Sequence, residues 1–112
     1  MRKNISSGAK WEDIVGYSRA VIINNTIEVT GTVAVDADNN LVGGDSAYEQ
    51  TKFVIQKIEK VLQQCGAELK HVVRTRIFVT DISRWEEYGR AHGEFFKDIK
   101  PTNGFYEISK LV

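Results

Sequence analysis

The sequence predicts an α+β fold, a two-layer sandwich in which two helices cover one face of a mixed β-sheet. Several short runs alternate apolar with polar residues, which is typical of half-buried strands. Two longer segments instead carry apolar stripes at helical spacing. Each of these helices lies between strands, and because such crossovers are right-handed, both helices should lie on the same face of the sheet.

Length and composition indicate one small globular domain that spans residues 1–112. The chain has 112 residues, with 15 Lys and Arg balanced by 15 Asp and Glu, and this neutral charge argues against a nucleic-acid partner. Its single cysteine excludes an internal disulfide. The sequence contains no apolar run of the length that a membrane span needs and no signal-peptide pattern at its start, so the expected location is the cytoplasm.

Residues 19–23 and 26–35 predict a β-hairpin. Asn24 and Asn25 lie between the two runs and tolerate the left-handed backbone of a tight turn. Gly31 interrupts the apolar side of the second run, which marks a bulge or a close approach by another group. Residues 36–40 predict a turn, and residues 41–42 predict a further short strand.

A first long helix is predicted between Ser46 and Gly66. Ser46 and Glu49 have the spacing of a capping box, and Gly66 is a natural C-terminal stop. The glycines at 43 and 44 lack the spacing and the lysine of a phosphate-binding loop, so they predict a turn that leads into the helix. The apolar stripe of this helix consists of Ala47, Val54, Ile55, Ile58, Val61, Leu62 and Cys65.

The second half of the chain predicts a strand, a helix and a last strand. In the strand at residues 71–81, Val73, Thr75, Ile77 and Val79 share one face, and Val72, Arg74, Arg76, Phe78 and Thr80 share the other. The helix begins near Ser83, which has capping-box spacing to Glu86, and it ends before Pro101. Its stripe is Trp85, Tyr88, His92, Phe95, Phe96 and Ile99. The last strand covers residues 105–111.

The sheet face opposite the helices is expected to mix charged with large apolar side chains. Such a face is unfavourable when exposed to solvent and also when buried in an apolar core. Symmetric self-association would bury its apolar groups and pair its arginines with glutamates. The alternation of the strands assigns to this face Glu28, Thr30, Thr32, Arg74, Arg76, Phe105 and Glu107.

Few side chains of the sequence indicate a chemical site by themselves. Cys65 lies on an apolar stripe and is expected to be a buried structural thiol. His71 and His92 have no cysteine or carboxylate at ligand spacing, so no metal site is expected. Arg74 and Arg76 point the same way and form either a carboxylate clamp or ion pairs with Glu28 or Glu107, and of these two interpretations the ion pairs are favoured. Tyr17 either covers a pocket or simply packs.

Several segments together resemble the Rid (reactive intermediate deaminase) family, also called YjgF. They are GYSRAV at residues 16–21, VTGT at 29–32, QT at 50–51 with residues 58–66, VVRTRIFVTD at 72–81, and the stretch from Lys100–Pro101 to Leu111. The resemblance implies a chorismate-mutase-like homotrimer with clefts between subunits. It also implies hydrolysis of 2-imino acids to 2-oxo acids and ammonia without a metal or cofactor. Older labels of the family are translation inhibitor and endoribonuclease.

The resemblance also assigns candidate site residues. Tyr17 matches a tyrosine at the cleft mouth, Gly31 matches a glycine whose backbone approaches the ligand, and Ser83 lies where active members often have asparagine. Asn103 replaces the arginine that binds the substrate carboxylate, and Phe105 replaces a frequent cysteine. This pattern resembles the arginine-lacking subgroups of the family, which are generally not competent imine deaminases.

Two further expectations follow from the resemblance. The family usually continues past the position of residue 112 with a final strand that carries a water-positioning glutamate, so residues 1–112 are expected to lack that strand. Two functions remain open: a cofactor-independent hydrolase of a small imine, in which Arg74 or Arg76 replaces the missing arginine, and a non-catalytic trimer that binds a small carboxylate or a regulatory partner. The neutral charge argues against a ribonuclease.

Overall fold

The computed structural model describes residues 1–112 as five strands and three helices. In chain order these are β1 (Arg2–Ile5), α1 (Lys10–Val15), β2 (Ala20–Ile23), β3 (Thr26–Val29), α2 (Ala47–Gln64), β4 (Arg74–Val79), α3 (Trp85–Phe96) and β5 (Thr102–Glu107). Single 3-10 turns precede β4, at Leu69–His71, and α3, at Ile82–Arg84. None of the helices combines the length and the hydrophobicity that crossing a membrane requires.

The strands pair in both directions, and they form two sheets. β1, β2 and β3 form an antiparallel sheet in that order, with Ala20 opposite Val29. β4 and β5 form a parallel pair in which Ile77 lies opposite Phe105. Because β3 and β4 are not hydrogen-bonded to each other, each keeps one unpaired edge. The predicted α+β fold with mixed strand pairing is confirmed, with the sheet divided into these two parts.

The core lies between the sheets and the two long helices. Its centre is a cluster of four buried side chains: Ile55 and Leu62 from α2, Leu69 from the turn before β4, and Phe96 from α3. Side chains of β3, including Ile27 and Val29, pack against this cluster. Burial of each such side chain contributes about 1.5–3 kcal/mol, so this contact fixes the helix layer against the sheets.

Helix α2 begins and ends as the sequence predicts. Ser46 is its N-cap and accepts a hydrogen bond from the backbone N–H of Glu49 at 3.1 Å. Gly66 follows the last turn with φ of +79°, the left-handed conformation that glycine adopts without strain. The glycines at 43 and 44 form the turn before the helix, as predicted.

The N-terminal region contains two elements that the sequence pattern did not predict. β1 and α1 are short, and their apolar residues are too few to show a clear period. The strand predicted over residues 26–35 ends at Val29. Beyond it the chain leaves the sheet, and one isolated bridge between Val35 and Leu41 is what remains of the predicted short strand at 41–42.

The second half requires three corrections. α3 begins at Trp85 rather than near Ser83, and the carboxylate of Asp81, not Ser83, caps the turn before it. Trp85 does not belong to the buried stripe, since it is 55% exposed. β5 begins at Thr102, three residues earlier than predicted, because the N–H of Thr102 already donates to the carbonyl of Val73 at 3.0 Å.

Two glycine substitutions test this account of the fold. In Gly43→Ala the new Cβ would lie 2.8 Å from the backbone nitrogen of Gln50, at a φ of +89°. We expect the free energy of unfolding to fall by about 1–3 kcal/mol. In the control Gly93→Ala, within α3, a Cβ meets no atom within 4 Å, and we expect a gain of about 0.5–1 kcal/mol. Urea unfolding measures both, and equal stabilities of the two variants would contradict the account.

Candidate functional site

Tyr17 lies at a polar cavity of about 550 Å³ beside the antiparallel sheet. α1 ends at Gly16, whose left-handed φ of +87° turns the chain, and the N–H of Tyr17 then donates to the carbonyl of Glu12 at 3.0 Å. This local turn places the half-buried Tyr17 between α1 and the sheet. The other lining residues are Arg2, Asn4, Glu12, Asp13, Gly16, Ser18, Val21, Glu28, Val29 and Thr30.

Glu12 is the most buried charged side chain of this cavity. It is 5% exposed and accepts hydrogen bonds from the hydroxyl of Ser6 at 2.9 Å and from the N–H of Ser7 at 3.1 Å. The hydroxyl of Ser7 donates to it as well. That hydrogen bond is the main reason why the pKa of Glu12 lies below its ordinary value, although burial acts in the opposite direction. The carboxylate is therefore charged, and its oxygens are engaged by Ser6 and Ser7.

Gly31 lies just beyond the end of β3, where the chain leaves the sheet. Its carbonyl accepts a hydrogen bond from Nη1 of Arg19 at 3.4 Å. A side chain at position 31 would meet no atom within 4 Å, so the close neighbour predicted for this glycine does not come from within the same chain. Its backbone is accessible to a ligand or to another copy of the chain.

Asn103 is the first residue of a short hydrogen-bonded series on the helix-facing side of β4 and β5. Its Nδ2 donates to Oγ1 of Thr75 at 2.9 Å, and this hydroxyl lies 2.8 Å from Nε2 of His92 on α3. Thr75 and Asn103 meet because they lie opposite each other in the parallel ladder. Burial lowers the pKa of His92 below its ordinary value of 6.5, which favours a neutral ring that accepts the proton of Thr75.

Phe105 and Glu107 face the helices, not the open sheet face to which the sequence pattern assigned them. The ring of Phe105 packs across Gly89 of α3. The carboxylate of Glu107 accepts a hydrogen bond from the N–H of Ile82 at 3.0 Å. The prediction was wrong because alternation shows which residues share a face but not which face it is. The register with β4 decides that, since Phe105 lies opposite the helix-facing Ile77.

Ser83 is separated from Asn103 within one chain. Its N–H donates to Oδ1 of Asp81 at 3.0 Å, in the turn that follows β4. Asn103 pairs with Thr75 near the start of β4, and Val79 ends that strand four residues later, about 13 Å away. These two candidate residues therefore belong to opposite ends of the β4–β5 pair.

Arg74 and Arg76 lie on the open face of β4 and are exposed. Within one chain neither forms the predicted ion pair with Glu28 or Glu107: the two ion pairs are Lys70–Glu68 and Arg84–Glu87. The reason is the register of β5, which turns Glu107 to the other face. Pairing across subunits stays a prediction.

The open face of β4 and β5 also carries an aromatic pair. The rings of Phe78 and Tyr106 stack with centroids 5.3 Å apart, and they are 48% and 42% exposed. This apolar pair beside two unpaired arginines is the mixed face predicted from the strand pattern. Phe78 shares the face of Arg74 and Arg76 as predicted, and Tyr106 takes the place of Phe105 and Glu107.

Cys65 and His71, the remaining candidates from the sequence, do not belong to the Tyr17 cavity or to the β4–β5 pair. Cys65 follows the last turn of α2 and is partly exposed rather than buried. His71 accepts a hydrogen bond from the N–H of Glu68 at 3.1 Å and has a local structural role. No three side chains of His, Cys, Asp or Glu converge at a point where they could hold a metal ion.

One chain therefore contains two separate groups of candidate residues. Tyr17 and Gly31 lie with Glu12 and Arg19 at the antiparallel sheet, whereas Asn103 lies with Thr75 and His92 at the parallel pair. Sequence reasoning missed Glu12 and Arg19. A serine pair five to six residues before Glu12 was the available signal for the first, but no residue pattern shows that Arg19 is partly buried.

Comparisons with known proteins agree on one family. A sequence profile described as Endoribonuclease L-PSP matches residues 8–112. A RutC family protein of Pyrococcus abyssi is 30% identical over 95 residues, covering 85% of this chain and 75% of that protein. The human 2-iminobutanoate/2-iminopropanoate deaminase is 24% identical over 110 residues, with 97% and 80% covered.

The fold comparison gives the same result. The crystal structure of a member of the YjgF/YER057c/UK114 family from Mycobacterium tuberculosis superposes with a TM-score of 0.88 at 43% identity. The superposition covers 100% of this chain and 88% of the Mycobacterium tuberculosis chain. The similarity therefore extends over the whole of residues 1–112, including both groups of candidate residues.

The burial of His92 predicts a pH dependence of stability. Because the folded state lowers the pKa of His92, the unfolded chain takes up a proton first as the pH falls. The stabilising contribution of neutral His92 is thus fully present above about pH 6.5 and is lost as the pH falls through the lower pKa of the folded state.

Urea unfolding between about pH 5 and pH 8 measures this effect, above the range in which most carboxylates titrate. We expect His92→Gln to remove the fall in the free energy of unfolding and the control His71→Gln to retain it. The same fall in both variants would contradict the assignment to His92.

Proposed function

This chain belongs to the Endoribonuclease L-PSP family, also called YjgF or Rid, and from that premise we propose that it hydrolyses a small 2-imino acid to a 2-oxo acid and ammonia. The observation that carries the proposal is the polar cavity at Tyr17 beside the accessible backbone of Gly31. The deaminase name of the human relative supports the reaction class.

The proposed reaction needs little from the protein. An imine carbon is electrophilic, so water adds to the C=N bond and its proton passes to the nitrogen. The hydroxyl group formed by this addition then gives its proton to the nitrogen, the C–N bond breaks, ammonia leaves with the electron pair, and the carbonyl of the 2-oxo acid remains. The protein must hold the imine and the water together and supply polar groups for the proton transfers. Tyr17 would cover the ligand, and the Gly31 backbone would bind it.

We propose that the site forms between copies of the chain, in a homotrimer. Tyr17 and Gly31 lie in one group of candidate residues, and Asn103 lies in another, with Ser83 at the far end of the β4–β5 pair. Association with a second copy would bring Tyr17 and Gly31 of one chain close to Asn103 or Ser83 of another. The exposed Phe78–Tyr106 pair and the unpaired Arg74 and Arg76 support association through this open face.

The unpaired edges of β3 and β4 fit the additional strand that the family resemblance implies. An unpaired strand edge presents free N–H and C=O groups that readily accept another strand. That the domain lacks this strand stays a prediction, and so does its location in the cytoplasm.

One observation favours a second function, binding of a small ligand without catalysis. Asn103 is neutral and its amide is already hydrogen-bonded to Thr75, so this position supplies no charged clamp for a carboxylate. The cavity would then hold a metabolite that regulates the protein or its partner. The older endoribonuclease label has less support, because a net charge of zero gives no general attraction for nucleic acid.

Hydrolysis of 2-iminobutanoate and 2-iminopropanoate tests the proposal. A dehydratase generates the imines, and semicarbazide competes with the protein for them. We expect the native chain to reduce semicarbazone formation. The variants Asn103→Arg and Thr102→Arg are compared, since the second places the same charge one residue away, on the opposite face of β5.

Activity of the native chain supports hydrolysis, with a group other than position 103 binding the carboxylate. Activity only in Asn103→Arg supports the second function, because the scaffold is then intact and the clamp is absent. Inactivity of the native chain and both variants would contradict imine hydrolysis.

A further inference from the structure

Three hydrogen-bonded side chains connect the surface of the β4–β5 pair to the interior. Nδ2 of Asn103 donates to Oγ1 of Thr75 at 2.9 Å, and this oxygen lies 2.8 Å from Nε2 of His92. Asn103 is exposed, whereas Thr75 and His92 are partly buried, and the ring of His92 packs against Phe96 with centroids 4.6 Å apart. A change at the ring can therefore reach a side chain that a ligand can touch.

The direction of each hydrogen bond is fixed while His92 is neutral. A hydroxyl has one proton, and Oγ1 of Thr75 already accepts from the amide of Asn103. If Nε2 of His92 also donated to Oγ1, the proton of Thr75 would have no acceptor among the three groups. Nε2 therefore accepts that proton, and the ring carries its own proton on Nδ1. The amide of Asn103 is then oriented with Oδ1 away from Thr75.

Protonation of His92 reverses these directions. Both ring nitrogens of an imidazolium are donors, so Nε2 now donates to Oγ1 of Thr75. The proton of Thr75 then needs a new acceptor, and Oδ1 of Asn103 provides one when the amide rotates by half a turn. Without that rotation the proton of a partly buried hydroxyl would be unbonded, which is unfavourable. The outward side of the amide thus changes from C=O to NH2.

Burial, and no neighbouring charge, governs the protonation of His92. Burial is what lowers its pKa, and Nδ1 is not fully buried, so a proton can reach the ring from solvent. The ionisable groups of the surrounding elements have other partners or lie on another face: Tyr48 with Glu94, His71 with the N–H of Glu68, Lys70 with Glu68, Arg84 with Glu87, Glu107 with the N–H of Ile82, and Arg74 and Arg76 on the open face of β4.

We propose that Asn103 binds the nitrogen end of the ligand and that the protonation state of His92, transmitted by Thr75, sets this preference. With His92 neutral, Oδ1 of Asn103 accepts an N–H of the ligand. With His92 protonated, the N–H groups of Asn103 instead donate to a carbonyl or carboxylate.

This preference would distinguish substrate from product. A 2-imino acid carries an N–H, whereas the 2-oxo acid formed from it offers acceptors alone, so at neutral pH position 103 favours the substrate. The inference rests on the proposed function, because it takes the ligand to be a small imino acid in a cleft that includes Asn103.

Nitrogen NMR of the native chain tests the hydrogen-bond reversal without a ligand. We expect neutral His92 to carry its proton on Nδ1. The side-chain amide signals of Asn103 should change together with those of the ring as the pH falls from about 8 to about 4.5. In Thr75→Val, which removes the connecting hydroxyl at similar volume, the amide signals should no longer follow the ring, and the control His71→Gln should behave like the native chain.

Two results of this experiment would overturn the proposal. One is a proton on Nε2 of the neutral His92 ring. The other is an Asn103 amide whose signals do not respond to the titration of His92.

Two ligands of similar shape test the preference at position 103. 2-Oxobutanamide presents an N–H where 2-oxobutanoate presents a carboxylate oxygen, and neither titrates between about pH 4.5 and about pH 8. Chemical-shift titration measures both affinities. We expect the ratio of amide affinity to acid affinity to fall about threefold or more as His92 is protonated, because one hydrogen bond changes direction.

Two variants separate the series from a general effect of pH. In Thr75→Val the affinity ratio should not depend on pH. In His92→Phe, Thr75 has Asn103 as its remaining acceptor, so this variant should show the ratio of the protonated native chain at every pH. No binding of either ligand, a ratio in the native chain that does not change with pH, or the same change in Thr75→Val would overturn the proposal.

The outcome remains separable from the imine assay. A pH-dependent ratio without hydrolysis supports the assignment of Asn103 and contradicts catalysis. Hydrolysis with a KM that Thr75→Val leaves unchanged at every pH contradicts the assignment and leaves catalysis supported.

Discussion

The parallel register of β4 and β5 determines which side chains of the second half can take part in a site. The bond from the N–H of Thr102 to the carbonyl of Val73 begins the pairing directly after Pro101. It turns Asn103 and Phe105 toward the helices and leaves Tyr106 on the open face beside Phe78. A shift of β5 by one residue would turn Tyr106 toward the helices and Asn103 and Phe105 to the open face. The polar series at His92 and the exposed aromatic pair both depend on this register.

The fold could be predicted from the sequence wherever the pattern was long and periodic. α2 and its Ser46 cap are examples, since eighteen residues with one apolar stripe and a clear start permit one interpretation. β1 and α1 were missed because four and six residues are too short to show a period. The face of Phe105 was missed because it depends on pairing with a strand nearly thirty residues earlier, and such long-range register is not contained in local alternation.

The site was predictable only in part, and for a related reason. Family resemblance pointed to Tyr17, Gly31 and Asn103, but the partners of these residues depend on tertiary contacts. Arg19 has an ordinary position in a strand-like run, and only the structure reveals that its Nε lacks an acceptor.

The central claim is that copies of the chain associate through the open face of β4 and β5 and form the site between them. Light scattering of the native chain and of Phe78→Glu, with Trp85→Glu as the matched exposed aromatic on the helix side, tests it most directly. The account predicts about three times 12.7 kDa for the native chain and for Trp85→Glu, and a folded monomer for Phe78→Glu. A native chain that is monomeric at micromolar concentration, or a Phe78→Glu variant that stays trimeric, would contradict it.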